Sequence, residues 1–349
     1  MSILEDVRDK LAGLGAGALL VSAPANVRYL SGFTSPEDGV VVVTGDRAAL
    51  VTDGRYTAQA GEESRLEVVI APSWEECLVE MVGGERLAVE SEHLSLQRFR
   101  RLAERLGAEP VAAEGFLTSF RLIKTEEEIR DLREAARITD EAFERVVPMI
   151  EPGVREIEVA LELERHMRLA GSDGPGFHII VASGKRSAMP HGVASTKVIA
   201  SGDLVTLDFG AVYHGYHADM TRAVAVGPID PELRRLFDAV SEAQEAALAA
   251  VGPGRTGREL DAIARDLLAG HALADAFSHS LGHGTGLEIH EGPRLSHRSQ
   301  DLLAPGMSVT VEPGVYRPGF GGVRIEDLAI VTEDGCEVIS KSPKSFRQV

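Results

Sequence analysis

Residues 39–53, GVVVVTGDRAALVTD, form two runs of apolar residues, many of them β-branched, broken by Thr44-Gly45-Asp46. Glycine and small polar residues between such runs predict a hairpin. GALLVSA (17–23) and EVVIA (67–71) predict further strands. Helical patterns lie between and beside them. MSILEDVRDKLAGLG starts an acidic amphipathic helix, WEECLVEMV follows a capping box at Ser73-x-x-Glu76, and LQRFRRLAERLG begins after Ser95 and stops at Gly107. Interleaved strands and helices predict a layered α/β domain. It contains no recognisable nucleophile, metal cluster or phosphate loop. The alternation gives way around Thr118–Lys124, where a second capping box, Thr125-x-x-Glu128, opens a helix predicted to run to about Ile150. The chain therefore divides into residues 1–120 and residues 121–349.

The second segment carries a faint internal repeat. SEAQEAALAAVGPGRTGRELDAI (241–263) aligns with DEAFERVVPMIEPGVREIEVAL (140–161), each reading helix, Pro-Gly break, helix, with Glu259 over Glu158. Further on, GMSVTVEPG (306–314) aligns with GDLVTLDFG (202–210), which sets Glu312 over Asp208. Two matches in the same order predict two related halves facing each other, with helices outside and a curved antiparallel sheet inside.

The acidic positions of those strands are out of place. Asp208 interrupts an apolar run in VTLDFGAVYHGYHADMTR (205–222), and Asp219 stands just ahead of the next run, Ala223–Val226. Aspartate is a poor strand former and is seldom buried without a partner. A fold about Tyr213-His214, beside Gly215, predicts Asp208 and Asp219 as near-opposite cross-strand neighbours on one face, their Cβ atoms ~5 Å apart. Glu312 and Glu326 fold the same way about Gly319 in RPGFGG. Single acids beside turns are ordinarily solvated. Two pairs at equivalent repeat positions, each after an apolar strand, predict instead four carboxylates converging on one concave face. Like charges so placed repel unless a cation lies between them, and a pair of divalent cations would serve.

A nitrogen ligand is available in FSHSLGHGTGLEIHEGPRLSH (277–297), where glycines flank His279, His283 and His290 and permit close backbone approach. Oxygen donors with one imidazole suit Mn, Co, Zn or Fe. GHGTG lacks the Lys-Ser/Thr of a phosphate loop, and HEGPR lacks the second histidine of a helical zinc-protease motif. His279 reads either as a ligand or as a supporting histidine. His191, in VASGKRSAMPHGVAS, would by itself be a surface histidine, but it follows Gly184 at the spacing by which His290 follows His283. That makes His191 and His290 repeat counterparts. No Gly-x-Ser-x-Gly elbow is present, and neither Cys77 nor Cys336 has a histidine beside it in sequence, so a nucleophilic hydrolase has no support.

Composition narrows the remaining classes. With 349 residues, 44% of them hydrophobic, the chain can bury the cores of about two domains. A net charge of −18 has the wrong sign for a phosphate backbone, which argues against nucleic acid and anionic membranes as partners. No apolar run approaches the ~18 residues of a membrane span, and the N-terminus lacks a signal-peptide layout. Two distant cysteines argue against a disulfide framework, so a cytoplasmic location is expected.

LDFGAVYHGYHADMTR, GHGTGLEIHEGPRLS, TVEPGVY and VRIEDLAIVT, in that order, resemble the pita-bread metallopeptidases, and within them the proline-specific branch of Xaa-Pro dipeptidases (prolidases) and aminopeptidases P. NVRYLSGFTS and LVTDGRYTAQA resemble the accessory domain of that branch, which methionine aminopeptidases lack. The resemblance spans the chain nearly end to end. It implies an α/β (α+β) architecture, an N-terminal α/β accessory domain followed by a pita-bread catalytic domain with a pseudo-twofold repeat. It implies two divalent ions, Mn, Co or Zn, held by Asp208, Asp219, His283, Glu312 and Glu326. Asp219 and Glu312 would be shared, with Asp208 on one ion and His283 on the other. His191, His290, Arg324 and Tyr316 match further active-site positions, and Phe177 is expected to line the pocket. His178, in GFHIIVASG, departs from the family's pattern, where a different polar or small residue is expected.

The implied chemistry is hydrolysis at an Xaa-Pro bond. Paired ions draw a nucleophile from water near neutral pH and polarise the scissile carbonyl. Glu312 is the expected proton shuttle to the departing proline nitrogen, with His290 and His191 hydrogen-bonding the carbonyl oxygen and the intermediate. Arg294, in HEGPRLSH, is the expected clamp for a free proline carboxylate, since its planar fork pairs with both oxygens. The expected protein is a homodimeric exopeptidase acting on Xaa-Pro dipeptides and short Xaa-Pro-Yaa peptides. Relatives of methionine aminopeptidase or creatinase type, or a non-catalytic binding module, are the alternatives. The complete ligand set and the N-terminal segment speak against them.

Overall fold

The computed structural model describes residues 3–349, and the chain forms two compact units, Met1–Phe120 and Arg121–Val349. The first is built on a six-stranded mixed sheet. From edge to edge its strands are Glu67–Ile70, Ala48–Thr52, Gly39–Thr44, Ala18–Val21, Leu87–Val89 and Val111–Ala112. The predicted hairpin is present, with Gly39 opposite Thr52 and Val43 opposite Ala48. Leu19, Val21, Val41 and Val43 pack with Val7, Leu11 and Leu30 on one face, while Ala18, Leu20, Val40 and Val42 pack with Leu78, Val82 and Leu102 on the other. A sheet covered on both faces accounts for strands that read as continuous apolar runs. Ser95 caps its helix by accepting from the Arg98 N–H, and Gly107 ends that helix in the left-handed region. Ser73 differs from expectation. It stands at an N-cap, but its side chain makes no capping bond, and the first turn is tied instead through Glu75 to Arg101 at 3.3 Å.

In the second unit the repeat becomes visible as architecture. Thr125 and Glu128 form the predicted capping box, and the helix runs Glu126–Val146 before a short 3-10 turn. The matched glutamates of the repeat have one job: Glu158 and Glu259 each stand three residues into a helix and accept the backbone N–H of the cap residue, at 2.8 Å in both cases. In the first half, Val205, Leu207 and Phe209 pack against Ile138, Phe143, Val159 and Leu163 of two helices. In the second, Val309 and Val311 pack against Leu236, Val240, Leu260 and Ala264. Side chains alternate across a strand, so Thr206, Asp208 and Thr310 are turned to the opposite face. The halves meet where the Glu326 N–H donates to the Thr221 carbonyl at 3.2 Å. Arg222 fastens the same seam, donating to the carbonyls of Thr221 and Glu326 and pairing with Asp327. Among the described residues no helix is long and apolar enough to cross a membrane, and Cys77 and Cys336 are free thiols.

The second acidic hairpin has the predicted register: Val311 lies opposite Asp327 and Gly314 opposite Arg324, which centres the turn on Gly319. The first is shifted. Asp208 lies opposite Thr221, not Asp219. The reason is the turn. Tyr213 pairs with Tyr216, so the loop is His214-Gly215, and both residues have positive φ (47° and 81°) as a two-residue primed hairpin turn requires. Moving the axis by one position moves every partner by two, which leaves Asp219 diagonal to Asp208 on the same face.

Candidate metal centre

Strand ends and their hairpins bring Asp208, Asp219, His283, Glu312 and Glu326 to one cavity of about 460 Å3. Phe177, His178, His191, His279, His290, Arg294 and Arg324 also line it. Ligand atoms of Asp219, His283 and Glu326 lie within 4.8 Å of one another. His283 Nε2 is 3.3 Å from Glu312 Oε1 and 3.7 Å from Asp219 Oδ2. Its Nδ1–H donates to the Gly284 carbonyl at 3.0 Å, which leaves Nε2 facing the carboxylates.

Two threonines that the sequence reading passed over orient the ligands. Thr310 Oγ1 accepts from the His283 N–H at 3.0 Å and donates to Glu312 Oε1 at 3.2 Å. Thr221 Oγ1 donates to Glu326 Oε2 at 2.7 Å and accepts from Arg324 Nε at 3.1 Å. The signal for Thr310 was present in "VTV", a polar side chain two residues before a ligand and so on the ligand's face of the strand.

Burial and crowded carboxylates set the proton affinities of the site. Burial pushes the Asp219 and Glu326 carboxyls well above the usual range, and neighbouring carboxylates add to it: Glu326, Asp208 and Glu312 on Asp219, Glu312 and Asp208 on Glu326. Asp208 is also raised by burial, against the opposing charge of Arg324. Burial acts on Glu312 in the same sense, but the hydrogen bond and charge of His283, with the charges of His279 and Arg324, hold it below the ordinary value. Burial disfavours the charged form of His283, yet its partnership with Glu312 lifts it above the usual histidine range. His290 is lowered by burial and by the charge of His283.

Asp208 Oδ1, Asp219 Oδ1 and Glu326 Oε1 are buried with no hydrogen-bond partner. Buried charges are normally paired or bound to metal. Buried carboxylate oxygens without hydrogen-bond partners, with one directed imidazole nitrogen, make a donor set that fits divalent Mn, Co or Zn.

The remaining expected residues divide by location. His191 and His290 are exposed on the cavity wall, and the His290 ring lies 4.4 Å from that of His283, centroid to centroid. Arg294, an exposed residue, also lines the cavity and has no ion-pair partner among the described residues. Tyr316, matched by resemblance to an active-site position, is buried and stands outside the cavity lining. Its hydroxyl donates to His279 Nε2 at 2.9 Å and accepts from Arg324 Nη1 at 2.8 Å. Arg324 borders the cavity with its guanidinium committed to Thr221, Tyr316, the Pro190 carbonyl and Asp208 Oδ2, the last at 2.5 Å. Both residues therefore support Asp208 and His279. A second, larger depression of about 700 Å3 beside the helix Glu126–Val146 holds mutually paired charges, such as Arg133 with Glu337 and Arg137 with Glu141, and among the described residues no metal-ligand cluster.

The model of metallopeptidase family M24 matches residues 130–333, and that of the Creatinase/Prolidase N-terminal domain matches residues 4–123. The chain belongs to metallopeptidase family M24. It is 40% identical over 329 residues to the Xaa-Pro dipeptidase of Pyrococcus furiosus, covering 94% of each chain. The solved Xaa-Pro dipeptidase from Bacillus anthracis superposes with a TM-score of 0.95 at 45% identity and 99% coverage of both chains. The X-Pro aminopeptidase from Thermotoga maritima superposes with a TM-score of 0.93 at 38% identity over the whole of both chains. The M24 fold thus carries the expected two-part α/β architecture, with a metal-dependent peptidase centre in the second unit.

Proposed function

We propose that this M24 peptidase hydrolyses the Xaa-Pro bond of dipeptides at a centre of two divalent ions. One observation carries the reading. Carboxylates from both hairpins and one directed imidazole converge on a single cavity, with buried oxygens still lacking partners. Kinship with the Xaa-Pro dipeptidases supports the substrate class. The complete donor set weighs against a non-catalytic relative or a creatinase-type enzyme working without metals, and the Creatinase/Prolidase unit weighs against a methionine aminopeptidase.

Asp208, Asp219, His283, Glu312 and Glu326 would hold the ions, which when bound supply a nucleophile from water and polarise the scissile carbonyl. Glu312 moves the proton. Its Oε1 accepts from Thr310 and lies 3.3 Å from His283 Nε2, which holds the carboxylate in the cavity where it would pass the proton to the proline nitrogen. His290, held neutral, would donate one N–H to the carbonyl oxygen, and His191 lines the same cavity. Phe177 offers an apolar surface for the proline ring.

Arg294 would receive the proline carboxylate of a dipeptide. Short Xaa-Pro-Yaa peptides lack that carboxylate at the same place and are proposed as weaker, Arg294-independent substrates. A cytoplasmic homodimer belongs to the same proposal. A substrate-length series with metal-defined protein tests it. Turnover of Xaa-Pro dipeptides above matched Xaa-Ala dipeptides is expected, and equal turnover of the two would overturn the proline assignment.

A further inference from the structure

The segment that carries His290 is gripped on both sides by two buried cations. Arg121 donates to Glu288 Oε2 at 2.7 Å and also pairs with Glu291, whose other oxygen receives Lys124 Nζ at 2.7 Å. The side chains of Arg121, Lys124 and Glu291 are at most 3% exposed, whereas Glu288 is 55% exposed. The Lys124 N–H donates to the Gly306 carbonyl at 2.9 Å, just ahead of the strand Ser308–Val311 that leads to Glu312. The Glu291 carboxylate also fills the space over Gly286 that any Cβ would need. Glu288 and Glu291 flank His290 in sequence, so both ends of a short segment are referred to one fixed frame.

A buried ion cluster is a poor source of stability, because desolvation offsets much of the attraction and apolar replacements often do as well. What it supplies is direction. Two cations and two carboxylates fix the segment by geometry-specific bonds, where apolar packing would let it slide. We propose that Arg121, Lys124 and Glu291 are positioning residues for His290, with Glu288 as the outer arm. The inference rests on the reading of His290 as the hydrogen-bond donor to the scissile carbonyl. Misplacing such a donor by about 1 Å can cost as much as 10²-fold in rate.

The test uses the metal-loaded full chain with an Xaa-Pro dipeptide. Glu291→Gln is expected to lower kcat by about 10- to 100-fold, to leave KM and bound metal unchanged, and to raise hydrogen exchange across residues 287–295. The decisive comparison is a double-mutant cycle: Glu291→Gln added to His290→Ala is expected to cause no further loss, because the cluster acts through His290. Multiplying losses, or full kcat in a folded, metal-loaded Glu291→Gln protein, would overturn the proposal. Should Glu291→Gln fail to fold, Lys124→Met keeps the Arg121 pairing and is judged by the same cycle. If His290→Ala itself retains full turnover, the catalytic reading of His290 falls, and exchange across 287–295 still decides the bracket. Raised exchange in the Glu291 variant supports it, and unchanged exchange overturns it.

Discussion

Thr221→Val isolates how the protein aims a ligand without touching the ligand. Thr221 is fully buried, and valine fills nearly the same shape, so the change is confined to one hydroxyl. That hydroxyl donates to Glu326 Oε2 at 2.7 Å and accepts from Arg324 Nε at 3.1 Å. A hydrogen bond to a charged acceptor is worth ~1.5–3 kcal/mol. At ~1.4 kcal/mol per decade, its loss predicts affinity for the ion on Glu326 falling about 10- to 100-fold, the range typical of groups that orient metal ligands. A pH effect accompanies it. Burial and the Glu312 and Asp208 charges raise the Glu326 pKa, and the Thr221 bond opposes them. Removing that bond raises it further, and since proton and ion compete for the carboxylate, metal loading must shift to higher pH. Competition titrations against a chromophoric chelator across pH 5–8, with metal content measured directly, would read both effects. Thr221→Ser, which keeps the hydroxyl, is expected to stay close to the parent. Parental affinity in the valine variant at every pH would refute the claim that this hydroxyl orients Glu326.

Glu312→Gln is expected to remove turnover by at least ~10²–10⁴-fold, since it damages both ion binding and proton transfer; near-normal kcat would exclude the shuttle role. His290→Ala is expected to lose a comparable factor while keeping its metal, and a variant that loses half its metal would mark His290 as a ligand. Arg294→Ala is expected to lower kcat/KM by about 10- to 100-fold on dipeptides, from a charged pair worth ~1.5–3 kcal/mol, and to spare Xaa-Pro-Yaa peptides; equal losses on both would make Arg294 structural. Because Asp219 and Glu326 hold protons above the usual carboxylate range without ions, metal binding at neutral pH is expected to release protons and to tighten as pH rises. Calorimetry in buffers of different ionisation enthalpy would show this, and zero proton release would contradict it.

Much of the architecture was legible because local signals and tertiary structure agree. The Thr125–Glu128 box, the Gly107 stop and the apolar runs of the first sheet each formed where their residues pointed. The Glu312–Glu326 register followed from a turn marked by glycines. The Asp208 register did not, because it depended on His214 accepting positive φ beside Gly215, and histidine does not announce that conformation. Ser73 holds the N-cap position without a capping bond, and in the first turn Glu75 pairs with Arg101, a partner that local sequence does not show. Tyr316 and Arg324 were found by resemblance, but only three-dimensional partners show that they serve Asp208 and His279. Most opaque was the cluster of Arg121, Lys124 and Glu291, whose members lie far apart in sequence and share no local pattern.

Paired divalent ions on Asp208, Asp219, His283, Glu312 and Glu326 are proposed to make this chain an Xaa-Pro hydrolase. The most direct test is turnover of an Xaa-Pro dipeptide by protein stripped of metal, verified by elemental analysis, and then titrated with Mn, Co or Zn. No activity is expected in the stripped protein, with recovery that saturates near two ions per chain, as the dinuclear centre requires. Full activity in the verified metal-free protein would contradict the proposal.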